Sequence, residues 1–594
     1  MTDSTDARPD RLRLVVVGGV AGGMSAAARA RRLDEDADIV VLERGDHPSF
    51  ANCGLPYYVS GEIADPAKLL VQTPASLRAA LDLDVRTRHD VVGLDPDART
   101  VTARTPDGTV TLAYDALVLA PGARAVLPPI PGLADALEAG VATTLRTVDD
   151  AVALRDRVVA LREPTTTAGR PARAVVLGAG FIGLEAAEAL RLAGLDVDVV
   201  ELAPHVLPPL ERELATLVTA ELERLGIRVR DGLGAVELHR SPGAAAAPVA
   251  VELADGEVID ADLVVVSVGV TPDTAPFEAA GVACERGAIV VDEHGRTSVP
   301  GIWAVGDATV STDPVTGVRR PVPLAGPANR AGRLVADDVM GVATRPVPRP
   351  LGTAIVRVGE LTAALTGANR AALDAAGIAY ETIHLHPGNH AGYFPGASQL
   401  HLLLHLRRTD GALLGAQAVG RDGVDKRIDV LATALRHGAR GGDLVDLDLA
   451  YAPPYGSAKD PVNLAGMMAD NLTSGVLAQW QARDLDDVLA TALVLDVRSP
   501  AEYATGHLPG ALNVPHTQVR ERLAEIRAAA AGRAVRVHCA SGMRSYLAHR
   551  VLVEEGFDSA NLSGGMLTLT AWLGRDAKDV LVVGETGSSP KELP

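Results

Sequence analysis

Two cysteines stand in segments whose residue types could do sulfur chemistry. Cys53 lies in HPSFANCGLPYYVSGE, a short polar and aromatic stretch ahead of a helical pattern. Cys539 lies in AVRVHCASGMRS, directly after an apolar, β-rich run. The third cysteine, Cys284 in GVACERGAIVVDE, has no polar constellation beside it and reads as structural. The three are too far apart for a metal-ligand pair or a disulfide framework, so no metal is expected and a reducing, cytoplasmic setting fits. A lone thiolate such as Cys53 can hold oxidising equivalents as a sulfenic acid or as a mixed disulfide with a small thiol. After Cys539, Gly542 and Arg544 complete a CxxGxR loop before YLAHRVLVEEGF. Such a loop can turn several backbone N–H groups onto one sulfur, and the following helix and Arg544 favour an anionic thiolate or persulfide.

These thiols need elements that hold a redox partner. Residues 12–17, LRLVVV, read as a parallel strand buried on both faces, turning through GGVAGG into an alanine-rich helix. Gly18, Gly19 and Gly23 lie in a GxGxxG-like turn in which Val20 replaces the middle glycine. The next strand, IVVLE, ends in Glu43 with Arg44 behind it, where an acid can bind a ribose hydroxyl. A complete second copy follows in ARAVVLGAGFIGLEAAEAL, with Gly178, Gly180 and Gly183, and its next strand ends in Glu201. A carboxylate there accepts from a 2′-hydroxyl and repels a 2′-phosphate, which favours NADH over NADPH. Two such units about a domain length apart call for two dinucleotides in contact, FAD plus NAD(P)H.

Length and charge narrow the partners. At 594 residues the chain suggests about four structural units. Its formal charge of −19 disfavours nucleic acid and anionic membrane surfaces, leaving small molecules as the expected partners. The polar start MTDSTDARPDRLR and the short LRLVVVGGVAGG run give no signal peptide or membrane span.

With TSVPGIWAVGDA at 297–308, the paired fingerprints resemble the pyridine nucleotide-disulfide oxidoreductase family. The resemblance implies that Asp307 binds the ribityl chain of FAD. It also implies that YDALVLAPGARA around Gly122 and VSVGVTPDT around Gly269 mark the two crossings between the FAD and NAD(P) domains. It places Cys53 beside the flavin, where a helix N-terminus and the flavin would lower its pKa. Members with a disulfide centre carry CxxxxC, whereas the segment from Cys53 to Tyr58 holds one cysteine.

SFANCGLPY together with GGVAGGMSAAARARRL is similar, over residues 10–470, to coenzyme A-disulfide reductases and the related persulfide reductases. That likeness implies Ser49 and Asn52 flanking the thiol and Arg32 contacting coenzyme A phosphates, with Arg31 the near alternative. NADH peroxidases place a histidine in the first glycine turn, where this chain has Ala21 and Gly22. Tyr393 in NHAGYFPG and Tyr451 in YAPPYGSAKDPVN would reach into the partner's site of a homodimer, and Tyr455 could share their role. A phenol beside a departing thiolate can supply the proton that cleavage of a mixed disulfide requires.

DVRSPAEYATGHLPGA, HCASGMRS and NLSGGM together resemble a rhodanese domain with Cys539 as the persulfide carrier; cysteine phosphatases use a loop one residue longer. The fold expected is therefore α/β. It comprises an FAD-binding domain (11–150 and 285–345), an NAD(P)-binding domain (151–284), both Rossmann-like, and an α+β dimerisation domain (350–470). A linker (471–485) and an α/β rhodanese domain (486–585) complete it. The function expected is NAD(P)H-dependent cleavage of sulfur–sulfur bonds in coenzyme A persulfide, polysulfide or coenzyme A disulfide through Cys53, with Cys539 transferring sulfane sulfur. The alternatives are an NADH oxidase cycling Cys53 through sulfenic acid, or a non-catalytic sulfur carrier or redox sensor.

Overall fold

A computed structural model describes residues 11–162, 170–239 and 248–583. Residues 163–169 and 240–247 of the expected NAD(P) segment, and 584–585 of the expected rhodanese segment, lie outside the described residues. The chain divides into two compact units, Met1–Pro204 with Leu225–Gly352, and His205–Arg224 with Thr353–Pro594.

The first unit contains two parallel five-stranded sheets. One runs in the order Ile302–Ala304, Ala116–Leu119, Arg13–Val17, Asp38–Leu42, Asp84–Arg86. The apolar run at 13–17 is continuous because both faces of this sheet are covered. Leu14 and Val16, with Ile39 and Val41, enter one core, and Val15 and Val17, with Val40 and Leu42, enter another. Fully burying one such side chain stabilises by about 1.5–3 kcal/mol. Cys284 packs at the edge of the second of these cores.

The other sheet runs Ile227–Asp231, Asp196–Glu201, Arg173–Leu177, Leu263–Val266, Ala142–Thr143. The two expected crossings meet as an antiparallel ribbon, Ala123–Ala125 against Val270–Pro272, just beyond Gly122 (φ +70) and Gly269 (φ +124).

The second unit pairs an antiparallel sheet with a parallel one. The antiparallel sheet runs Ala354–Val358, Leu361–Gly367, Leu413–Gly420, Leu400–Arg407, Tyr380–Leu385. The parallel sheet runs Gln479–Trp480, Ser559–Leu562, Val535–His538, Leu493–Asp496, Leu512–Asn513, with a core on each face. The segment expected as a linker, 471–485, is structured. The helix Pro461–Thr473 reaches into it, Gln479–Trp480 is an edge strand, and buried Trp480, Ala482 and Leu485 belong to the core of the parallel sheet. Burial of the indole overrides the polar look of AQWQARD. The helix Arg212–Arg224 falls in the expected NAD(P) segment by sequence but clusters with the second unit. No described helix is long and apolar enough to cross a membrane.

Candidate active site

The glycines of the first turn are dictated by close approach. A Cβ on Gly18 (φ +93) would lie 2.0 Å from the Ala120 carbonyl oxygen, and one on Gly23 would lie 1.9 Å from that of Gly18. Gly178 (φ +99) and Gly183 repeat this geometry. The middle position differs: Gly180 has φ −75 and a Cβ there meets nothing within 4 Å, while Val20 holds φ −105 at the equivalent point. Neither conformation requires glycine, which explains how Val20 is tolerated. Glu43 Oε2 accepts from the Gly19 N–H at 2.7 Å and Oε1 from the Gly45 N–H at 2.9 Å. Glu201 does the same for Ala179 (2.6 Å) and Ala203 (2.8 Å). Both carboxylates hold their turns and keep lone pairs for a further donor. Arg44 pairs with Asp273 and donates to the Pro121 carbonyl.

Cys53 sits in a 3-10 turn, Asn52–Gly54, that runs directly into the helix Leu55–Ser60. Ser49 (φ +52) ties this loop to the first glycine turn by donating from its backbone N–H to Gly19 O at 2.8 Å. The helix packs against Val148–Leu161 and against Phe181–Leu192, the helix that follows the second glycine turn. Tyr57 donates to Glu185 on that second helix at 3.3 Å. Arg155 covers the Tyr58 ring at 4.4 Å and donates to the Tyr58, Ile63 and Ala64 carbonyls. The depressed thiol pKa expected at Cys53 is not what these protein groups produce. The residue is exposed, yet atoms crowding its thiol raise the pKa, Glu185 raises it further, and Arg146 pulls the other way. Arg146 also binds Asp307 at 3.2 Å, linking two expected features. Arg146, Glu185 and Arg155 were not legible as site residues, because Arg146 lies in a loop and the other two in ordinary helical patterns, all about a hundred residues away.

The structure separates the two arginines of RARRL. Arg31 is 2% exposed and spends its guanidinium on the carbonyls of Leu81, Asp82, Asp34 and Glu35. Arg32 is exposed and has no polar partner among the described residues. Their helix, Ala21–Leu33, packs on Ala325–Val339 through Gly22, Gly332 and the Arg29–Asp337 ion pair at 2.6 Å. Asp337 also lines a cavity of about 530 Å³ with Arg330, Arg333 and Arg345, none of which has a carboxylate partner among the described residues. In the second unit, Tyr393 and Tyr451 are brought together, both exposed, with their phenol oxygens 3.1 Å apart. This bond raises the pKa of Tyr393. Tyr455, four residues beyond Tyr451 in sequence, is exposed.

Cys539 directly follows the strand Val535–His538 and is buried. Its sulfur accepts from the Gly542 N–H and the Ser545 hydroxyl, each at 3.2 Å. One backbone donor thus points at the sulfur where several were expected, and the Ser545 hydroxyl supplements it. Arg544 makes two bonds to Glu502 (2.8 and 2.6 Å), so its charge is shared between the sulfur and that carboxylate. Glu502 belongs to the DVRSPAEY segment, which connects two of the quoted strings through one ion pair.

Residues 12–332 match the model of the pyridine nucleotide-disulphide oxidoreductase family, and residues 477–572 match the rhodanese-like domain. The chain belongs to the pyridine nucleotide-disulphide oxidoreductase family. A coenzyme A disulfide reductase of Staphylococcus epidermidis is 32% identical over 464 residues, covering 77% of this chain and 99% of that protein. The crystal structure of reduced Bacillus anthracis CoADR-RHD is 38% identical with a TM-score of 0.90, covering 97% of this chain and all of that one. An NAD-dependent persulfide reductase from A. fulgidus is 36% identical with a TM-score of 0.85, covering 94% of this chain and all of that one.

The protein is therefore an FAD-dependent oxidoreductase carrying a rhodanese-like domain. The residues present fit a flavin dinucleotide. The first turn brings backbone so close at Gly18 and Gly23 that a Cβ would block it, and the helix Ala21–Leu33 opens with no side-chain cap on its N–H groups. FAD, when bound, supplies two-electron exchange between a nicotinamide and a sulfur centre.

Proposed function

We propose that this oxidoreductase uses NAD(P)H to cleave the sulfur–sulfur bond of coenzyme A persulfide, with polysulfide and coenzyme A disulfide as related substrates. The observation carrying this reading is a lone thiol, Cys53, framed by Glu185 and Arg146, in the same chain as a second thiol in a sulfurtransferase-type loop. The names of the two relatives above that act on coenzyme A disulfide and persulfide support it.

In the proposed step the Cys53 thiolate attacks the carbon-bound sulfur of coenzyme A persulfide. A Cys53–coenzyme A mixed disulfide forms and hydrosulfide leaves. Two electrons and a proton then restore the Cys53 thiolate and coenzyme A thiol. The sum is coenzyme A persulfide, NAD(P)H and a proton giving coenzyme A, hydrogen sulfide and NAD(P)+. Tyr393 and Tyr451, reaching the site of a partner copy in a homodimer, would donate the proton to the departing thiolate, and the raised pKa of Tyr393 keeps it protonated for this. Arg32, with Arg330, Arg333 and Arg345 in the adjoining helix packing, suits the phosphates of coenzyme A. Cys539 would carry sulfane sulfur to the acceptor, raised in effective concentration by fusion. Glu201 favours NADH.

The test is anaerobic NADH oxidation by the FAD-loaded enzyme with coenzyme A persulfide, polysulfide or coenzyme A disulfide, following sulfide release. Turnover on persulfide that disappears in Cys53→Ser supports the proposal, and Cys539→Ser reports on sulfur delivery. No turnover without oxygen, with brisk NADH oxidation in air, overturns it.

A further inference from the structure

The rhodanese domain and the antiparallel-sheet domain lie in one compact unit, and a buried chain of polar groups joins them. Ser563, in the NLSGGM turn, is fully buried. Its Oγ accepts from the backbone N–H of His384 at 3.1 Å and lies 2.8 Å from His384 Nδ1. On the far side of the ring, Nε2 lies 2.7 Å from Glu213 Oε1, with Arg370 Nη2 farther off at 3.2 Å, so the carboxylate is its closer partner. An ionised carboxylate only accepts, and burial lowers the pKa of His384, so the neutral ring carries its proton on Nε2. Nδ1 then accepts from the Ser563 hydroxyl. Arg370 holds Glu213 in place with bonds of 2.5 and 3.0 Å.

Glutamate, histidine and serine follow one another as in a hydrolytic triad, but the hydroxyl is sealed from solvent and no substrate can reach it. What Ser563 touches is the support of the Cys539 loop. Gly564 (φ +70) and Gly565 (φ +62) follow it and lead into Met566 and Leu567, whose N–H groups donate to the carbonyls of Cys539 and Ala540, each at 2.9 Å. A Cβ on Gly565 would lie 2.6 Å from the Cys539 oxygen, and one on Gly564 would lie 2.7 Å from the His384 Cβ. The glycine pair is a thin wall with His384 on one side and the sulfurtransferase loop on the other.

We propose that Glu213, His384 and Ser563 are positioning residues through which the antiparallel-sheet domain sets the geometry of the Cys539 loop, so that the sulfur-transfer site is complete only in the docked chain. The proposal rests on the reading that Cys539 carries sulfane sulfur. Loosening Ser563 frees the glycine wall, and the Gly542 and Ser545 bonds to the sulfur weaken with it.

The test uses the FAD-loaded full chain as Ser563→Ala, His384→Leu and His384→Asn. Leucine and asparagine are of similar size and both abandon Glu213, but the asparagine oxygen can still accept from Ser563. Three readouts are taken: thiosulfate-to-cyanide sulfur transfer, the pH dependence of Cys539 alkylation by mass spectrometry, and NADH-dependent ferricyanide reduction as a flavin control. Ser563→Ala and His384→Leu should lower the transfer kcat about tenfold at unchanged KM and raise the Cys539 alkylation pKa by about one unit, the effect of one weakened hydrogen bond to a charged sulfur. His384→Asn, which keeps the Ser563 bond and loses Glu213, should fall between His384→Leu and wild type, and ferricyanide reduction should not change. Equal behaviour of the leucine and asparagine variants, or no shift in any variant, overturns the proposal. If Ser563→Ala does not fold, the His384 pair decides. A wild-type chain without sulfur transfer would defeat the Cys539 reading instead, and the alkylation arm would still decide the positioning.

Discussion

Replacing Arg370 by methionine removes the one guanidinium that serves two buried carboxylates. Its side chain bonds Glu211 at 3.1 Å and Glu213 at 3.0 and 2.5 Å, and the carboxylate side chains are 10% and 2% exposed. Without it, among the described residues, Glu211 keeps His405 and the backbone N–H of residue 370, and Glu213 keeps only His384. Removing one partner of a buried ion pair costs about 3–5 kcal/mol. Because both histidines can take up a proton in compensation, the lower end, about 3 kcal/mol, is expected. For a unit of this size that is roughly a 10 °C fall in Tm, read by calorimetry of the full chain. The pH dependence is diagnostic. Burial alone would raise the pKa of Glu213, but the His384 bond and the Arg370 charge overcome it and hold the carboxylate well below its ordinary value. A depressed carboxylate contributes stability above its unfolded pKa and loses it as pH falls towards the folded one. Arg370→Met shrinks that depression, so the penalty should be full at pH 7 and decline below about pH 4.5, the unfolded carboxylate range. A penalty under about 1 kcal/mol at pH 7, or one that grows as pH falls, would refute the reasoning.

Gly18→Ala, with φ +93 and a Cβ 2.0 Å from Ala120 O, should abolish FAD retention, measured as flavin absorbance per chain after gel filtration; a fully loaded variant would contradict the cradle. Glu201→Ala should lower the NADH-to-NADPH ratio of kcat/KM about tenfold, the effect of one lost hydrogen bond to a charged group, and an unchanged ratio would make Glu201 a turn-holding acid alone. Glu185→Gln removes a negative charge that raises the Cys53 pKa, so the pH midpoint of Cys53 alkylation should fall by about half a unit to one unit; no fall means crowding alone sets it. Glu502 is held at about 2, chiefly by Arg544, so its contribution to stability is present above its ordinary value of 4.5 and lost as pH falls towards 2. Acid unfolding of Glu502→Gln should lack this component, which is at most about 1 kcal/mol because the Glu502 side chain is more than a third exposed.

The two nucleotide folds were legible because their signals are local. Gly18, Gly23, Gly178 and Gly183 are demanded by backbone atoms within a few residues or in the neighbouring strand, and the run at 13–17 reports burial on both faces. The loop at Cys539 was legible for the same reason, since Gly542 and Arg544 sit inside it. The surroundings of Cys53 were not, because Glu185 arrives from a distant helix whose own sequence shows only periodicity and Arg146 from the loop ahead of another. The helix N-terminus is visible in sequence, whereas the crowding atoms and the opposing carboxylate, which push the thiol pKa up, are not. Arg31 and Arg32 are adjacent and chemically identical, and the carbonyls of Leu81 and Asp82, about fifty residues on, join those of Asp34 and Glu35 in tethering the first and not the second.

The segment 205–224 shows how far burial of charge can override chain order. By sequence it sits between two strands of the second parallel sheet, yet it clusters with the other unit. Glu211 and Glu213 enter the protein interior ahead of and within the first turn of the helix Arg212–Arg224, and a buried carboxylate is tolerable only where donors await it. Those donors, Arg370, His384 and His405, all come from residues beyond 353, where Gln417 also accepts from the Glu211 backbone N–H. A hydrophobic pattern would let this helix settle against either sheet, whereas two buried negative charges select the side with the arginine. Since His384 then reaches Ser563, the same charges also select how the rhodanese-like domain is seated, which is why Arg370→Met is expected to disturb sulfur transfer at Cys539 as well as stability.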